Sequence, residues 1–376
     1  MKIEFETKAL ANAMNVLRPI AKGRKTHPIL ENVHMTIENE KVFILSTDWE
    51  FTVKAEIVNA VILDKKVESV LIPYNDLNKI VKSKIKTYVL EITDQNDNDT
   101  TFQISGISAT GIKRNKKVTS YHSIDDFLEI TFADKFDYPV CENFNDTMKK
   151  AQEYQATEKM RFALNGTHFI YNGNDLTMVS TDGKRLYCRE TEISEKVEKL
   201  DCIIPSLKSW IKYMTDDCRI AFKEEKRDNE DDVTWITIDY PDNNFKIVTK
   251  AVNGQFPDYK KIIPAKKDGH SELTLDFVTK ELISMIAELD TDAERQAVSI
   301  SKEKGQKLIL ETGLNDKLEV ETGNMAESFE KAGIQPCFLI AALKENPISV
   351  FQNPDVKPFV FTLNSEEIVL VMPVSL

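Results

Sequence analysis

No stretch of the chain stays apolar long enough to span a bilayer. The opening MKIEFETKAL interleaves charges from its second residue, leaving no room for the apolar core of a signal peptide. A cytoplasmic protein with no membrane partner is expected. The five cysteines (Cys141, Cys188, Cys202, Cys218, Cys337) are odd in number, widely spaced and without a C-x-x-C pair, which excludes a disulfide framework and argues against a zinc site. They read as reduced thiols, mostly filling cores.

Enzyme signatures are missing too. The chain has no Walker loop, no G-x-G-x-x-G, no G-x-S-x-G and no H-E-x-x-H, and His27, His34, His122, His168 and His270 lack paired ligand spacing. The acidic stretch from Asp94 to Asp99 lacks the glycine at position six and the glutamate at position twelve of a calcium loop. Asn165-Gly-Thr167 matches a glycosylation acceptor, inert in a cytoplasmic chain. No catalytic residue, cofactor or metal is therefore expected. Zinc-finger, basic-zipper and aromatic ribonucleoprotein patterns are also absent, so any nucleic-acid contact would be to phosphates and independent of base sequence.

What the chain does have is mass and repetition. Its 376 residues exceed what one core usually serves, and 41% hydrophobic with 29% charged residues suits packed cores. Val42-Phe-Ile-Leu-Ser-Thr-Asp48 reads much like Leu176-Thr-Met-Val-Ser-Thr-Asp182. Each is followed by an apolar strand that ends in proline and opens a helix: Val70 to Pro73 before Tyr74–Lys86, and Cys202 to Pro205 before Ser206–Met214. A weaker third version is Gly333 to Pro336 before Cys337–Glu345. The prolines are nearly evenly spaced, so the repeat is about one third of the chain.

Each third also opens on a helical stretch: Thr7–Leu17, Asn145–Tyr154 and Asp276–Leu289. Hairpins fill the rest, with Asn172-Gly173 predicting a type I′ turn and Asn364-Ser365 a weaker one. The expected fold is α+β: three tandem similar domains, each with two helices and antiparallel sheets, at 1–127, 128–267 and 268–376.

Net charge is -12, which on its face disfavours nucleic acid. The basic residues are nevertheless concentrated on helices. Lys79, Lys82 and Lys86 line the face opposite Leu77, Ile80, Val81 and Ile85, while Lys208 and Lys212 lie opposite Leu207, Trp210, Ile211 and Met214. Lys8, Arg18, Lys22, Arg24 and Lys25 follow one another with no acid between Thr7 and Thr26, and Lys149 and Lys150 sit on the second third's opening helix. In the last third, Lys280 and Lys344 are offset by Glu281, Glu288 and Glu345. A single lysine-bearing helix is ordinarily just solvated. Several at equivalent places suggest a surface for double-stranded DNA, with Arg24, Lys25, Lys79, Lys82, Lys149 and Lys212 as its contacts.

Arg24 to Asn32, Leu164-Asn-Gly166, Ser180 to Leu186, Gly254 to Pro264 and the terminal Val371-Met-Pro-Val-Ser-Leu376 together resemble the bacterial beta sliding clamps, the DNA polymerase III beta subunit family. They occur in the same order from end to end. The resemblance implies a DNA-clamp fold and a head-to-tail homodimer closing a six-domain ring around duplex DNA, with no catalysis of its own. It also implies a groove that takes a short linear motif from the replicative polymerase, the clamp loader and repair proteins. By motif its wall is Leu164, Thr181, Gly183, Lys184, Arg185, Leu186, Pro257, Lys261, Ile262, Val356, Pro358, Val371, Met372, Pro373 and Val374. Departures from the family pattern are Ser375 for a frequent arginine, Lys184 for a frequent histidine, and Asn75 and Leu207 where some clamps carry basic DNA contacts. The competing reading is a non-catalytic, β-rich peptide-binding scaffold that does not encircle DNA.

Overall fold

The computed structural model describes all residues except 23–26, 97–98, 128–131, 134, 227–231, 265–271, 276–277, 279, 290–296, 304–306, 315, 322–331, 353–357 and 375–376. Its α-helices are α1 (Thr7–Ala21), α2 (Tyr74–Val81), α3 (Phe144–Glu153), α4 (Lys280–Glu288) and α5 (Pro336–Lys344). All strand pairing described between them is antiparallel. The chain forms two compact units, Met1–Asn145 with Leu207–Ala251, and Asp146–Ser206 with Val252–Leu376.

The first unit holds two sheets. Five strands run in the order Val61–Asp64, Lys2–Glu6, Thr87–Gln95, Thr100–Ile107, Lys113–Ser120. Seven run Arg219–Glu225, Val233–Tyr240, Phe245–Lys250, Phe51–Glu56, Lys41–Thr47, Asn32–Glu38, Ser69–Pro73. Period-two alternation buries Val42, Ile44, Val33 and Met35 on one side. Against them lies α1, whose Leu10, Ala13, Met14, Leu17 and Ile20 recur at three- and four-residue spacing and are all buried. Each such leucine or isoleucine contributes about 1.5–3 kcal/mol by leaving water.

The second unit has a six-stranded sheet, in the order Gly166–Thr181, Arg185–Pro205, Glu367–Val371, Phe359–Thr362, Ser349–Gln352, Glu272–Thr274. Its four-stranded sheet runs Lys317–Glu321, Lys307–Thr312, Val298–Glu303, Ala332–Ile334. Helices α4 and α5 pack together and bring Ile286, Leu339, Ala342 and Leu343 into a core with Val298, Leu310, Phe359 and Phe361.

Three expectations need correction. The helix over Tyr74–Lys86 stops at Val81, because the segment beyond it turns back: the Thr7 hydroxyl donates to the Ile85 carbonyl at 2.6 Å and the Thr7 amide to that of Lys86 at 2.8 Å. Ser206–Met214 makes no α-helix. It tightens into i→i−3 turns ending in a 3₁₀ helix at Ile211–Tyr213, while Leu207, Trp210 and Met214 are still buried and Lys208 and Lys212 exposed. Asn172-Gly173 is not a hairpin tip. Of the two residues only Gly173 has positive φ, +69°, where a type I′ turn needs both, and the strand runs on through a bulge to pair with Arg185–Pro205.

The helix expected over Asp276–Leu289 is described from Lys280 to Glu288, and residues 276, 277 and 279 lie outside the described residues. Of the other opening helices, α1 starts at Thr7 as read and runs on past Leu17 to Ala21, and α3 falls within one residue of Asn145–Tyr154; the hairpin at Asn364-Ser365 forms as read. Cys141, Cys188, Cys202 and Cys218 are buried thiols, and Cys337 is exposed.

Candidate peptide groove and cationic faces

The repeated Ser-Thr-Asp sequence folds into one turn, used twice. In the second unit Thr181 Oγ1 donates to the Arg185 carbonyl at 2.6 Å and accepts from the Gly183 amide at 3.0 Å. Asp182 Oδ1 accepts from the amides of Lys184 and Arg185 at 2.9 and 2.8 Å, and Gly183 takes φ +85°, which glycine adopts without a Cβ penalty. The first unit repeats each of these bonds, with Thr47, Asp48, Glu50 and Phe51 in the corresponding roles.

This turn starts a strand that enters the candidate site. Leu186 pairs with Leu370, and both face a cluster holding Leu164, Val179, Ile203, Phe256, Tyr259, Phe351 and Val360, with Ile262 and Met372 packed on its edge. Four of the residues expected by motif, Leu164, Leu186, Ile262 and Met372, thus share one apolar cluster. The Met372 amide donates to the Lys184 carbonyl at 2.9 Å, tying the C-terminal segment to the turn. Val371 is one residue out of phase with Leu370 and lies instead in the core beneath α4 and α5. Pro358 is buried, Pro373 and Val374 are half-buried, Pro257 and Lys261 are exposed, and Val356 lies outside the described residues.

Polar groups at the rim are largely committed. Arg185 Nε reaches Asp182 Oδ2 at 3.1 Å and Nη2 reaches the Glu153 carbonyl at 3.0 Å. Its guanidinium lies 5.0 Å from the Tyr154 ring centroid and 4.9 Å from that of Phe338. Arg185 is therefore a fixed post more than a free handle. Burial pushes the Cys188 thiol of the cluster well above its usual range, so it is unreactive filling. Among the described residues no His, Cys, Asp and Glu group could hold a metal.

Sequence reasoning missed the apolar lip. Met160 is 95% exposed and Phe162, 55% exposed, lies over Gly254, both on the segment leading to Leu164. Adjacency to the Leu164-Asn-Gly motif was a signal for them. Tyr154 and Phe338, by contrast, meet Arg185 only through tertiary folding.

Of the expected DNA contacts, Lys79, Lys82 and Lys212 are exposed and Lys149 is half-buried. Lys79 sits 3.2 Å from Asp76 and Lys149 3.0 Å from Asp146, exposed pairs worth little in water. Arg24 and Lys25 lie outside the described residues.

Models of the DNA polymerase III beta subunit match twice, the N-terminal domain over residues 1–109 and the central domain over 141–258. The chain is similar to the beta sliding clamp of Rickettsia bellii, 23% identical with 100% of this chain and 99% of that protein covered. The clamp of Chlamydia trachomatis is 27% identical over 62% of this chain, and the match spans 56% of that protein's length. Among solved structures, the beta subunit from the DNA polymerase of Streptococcus pyogenes superposes with TM-score 0.78 at 15% identity, each chain covered in full. The corresponding subunit of Pseudomonas aeruginosa gives 0.76 at 17%, again in full. The chain belongs to the DNA polymerase III beta subunit family.

Proposed function

We propose that this protein is a DNA sliding clamp of the cytoplasm. Two copies close head to tail into a ring of six domains, three per chain at 1–127, 128–267 and 268–376, and the ring holds the replicative polymerase on duplex DNA. The observation that carries the reading is one apolar cluster in a chain of this family: Leu164 and Leu186 are buried in it, and Ile262 and Met372, far off in sequence, pack half-buried on its edge beside the turn that carries Lys184 and Arg185. A groove at such a cluster takes two or three apolar anchors of a linear motif carried by the polymerase, the clamp loader or repair proteins.

Edge strands suit the ring. Lys113–Ser120 ends the five-stranded sheet with Lys113, Arg114, Lys116 and Lys117, whereas Lys317–Glu321 ends the four-stranded sheet with Glu319, paired to Lys317 at 2.6 Å, and Glu321. An unpaired edge invites another strand, and opposite charge on the two edges favours joining the first domain of one copy to the third of the next. DNA is held by topology, with Lys79, Lys82, Lys149, Lys212, Arg24 and Lys25 making weak phosphate contacts that permit sliding. Protein catalysis has no part in it.

The mass in solution tests the ring. The reading expects a particle of two 42.9 kDa chains with a central hole in images. A monomer at working concentration, or a dimer with no opening, would contradict it.

A further inference from the structure

The turn that appears twice has glycine at its left-handed position in one copy and tryptophan in the other. Gly183 has φ +85° and Trp49 has φ +78°. The other non-glycine residues with positive φ among the described residues are five asparagines and Glu40. Asparagine tolerates this region. A bulky aromatic does not, so Trp49 is an outlier of the kind that marks a function. Core packing does not account for it: the side chain is 51% exposed, with its indole 5.7 Å from the His27 ring, itself exposed.

Cations lie on the segments joined to this turn. Trp210 gathers three segments, its indole N–H donating to the Val16 carbonyl of α1 at 2.8 Å and its ring lying 5.0 Å from Phe51. Trp49 is two residues before Phe51, Arg18 and Lys22 follow Val16, and Lys208 and Lys212 each lie two residues from Trp210, so the segments that meet at Trp210 carry four exposed cations. Of the turn's two acids, Asp48 is occupied by the amides of Glu50 and Phe51, and Glu50 is exposed. An aromatic face among lysines and arginines is the usual platform for a base that has left its duplex, because the interior of a duplex offers no free π-face.

We propose that Trp49 is a stacking site for an unpaired nucleobase, with Arg18, Lys22, Lys208 and Lys212 binding the flanking phosphates. The inference rests on the reading of the protein as DNA-binding, and deepens it by naming single-stranded DNA next to the encircled duplex as a second ligand.

The test uses the full-length protein and oligo(dT). Of the three tryptophans Trp210 is buried and Trp235 donates to Glu225, so a change in indole emission on adding oligo(dT) should vanish in Trp49→Phe. Fluorescence anisotropy should show Trp49→Phe binding within about threefold of wild type, Trp49→Gly about tenfold or more weaker, and Glu50→Gln tighter. Because glycine is what the sister turn uses, Trp49→Gly should melt at or above the wild-type temperature. Unchanged binding by Trp49→Gly, no emission change in wild type, or a fall in melting temperature for Trp49→Gly would each overturn the proposal. Retention of the ring on duplex would survive all three, so this failure is distinguishable from failure of the clamp reading.

Discussion

Lys150 Nζ lies 2.8 Å from Glu367 Oε2, joining α3 to the strand beside the groove. The carboxylate also accepts from the Tyr187 hydroxyl at 2.9 Å, and Arg189 Nη1 stands 3.7 Å from it. Burial alone would raise the Glu367 carboxyl above its ordinary 4.5, yet the hydrogen bonds and charges of Lys150, Tyr187 and Arg189 outweigh burial and hold it below.

A depressed folded-state value means the unfolded chain binds the proton more readily, so the carboxylate stabilises the fold above pH 4.5 and loses that contribution as pH falls through its folded value. Glu367→Ala takes this partner from half-buried Lys150 and from the buried Tyr187 hydroxyl, and is expected to cost about 1.5–3 kcal/mol at neutral pH. Urea unfolding of both proteins across pH checks it. Equal stability at pH 7, or a difference that widens in acid, would contradict the assignment.

His34 behaves in the same direction for another reason. Burial lowers its imidazole from 6.5 to about 4, and Nε2 has no hydrogen-bond partner, so the fold holds it neutral against Phe127. Protons bind the unfolded chain first, and stability therefore falls as pH drops from 6.5 towards 4, by up to about 3 kcal/mol. His34→Leu should flatten that part of the pH–stability curve. An unchanged slope between the two values would show that His34 is not its source.

Phe162 separates binding from folding. Being 55% exposed, it should be replaceable by alanine with a change in stability within about 0.5 kcal/mol, while affinity for an apolar-anchored linear peptide drops about tenfold. Leu186→Ala, at 2% exposure, should cost about 2–4 kcal/mol of stability as well. Calorimetric titration with thermal melts distinguishes them. The lip has no part in binding if Phe162→Ala binds the peptide as wild type does.

Much of this was legible where side chains act locally. The Ser-Thr-Asp repeat reads correctly because its own Thr and Asp oxygens make the turn, in both copies with the same bonds. Helix α1 reads correctly because its apolar spacing is regular over four turns, though the structure carries it four residues past Leu17 to Ala21. Ser206–Met214 has an equally good helical pattern, but the Trp210 indole bond to Val16, 194 residues away, comes with a tighter 3₁₀ winding. Asn172-Gly173 fails similarly, since the long strand Arg185–Pro205 supplies better pairing than a local hairpin. In the groove, the motif residues could be named in advance, whereas the clamp of Tyr154 and Phe338 on Arg185 depends on contacts no local pattern encodes.

In the proposed function a closed ring holds the DNA. Loaded by a clamp loader onto a nicked circular duplex, the protein should stay bound for long times at high salt, where phosphate contacts are screened, and leave rapidly once the circle is cut. Loss from intact circles at the same rate as from cut ones would contradict the account.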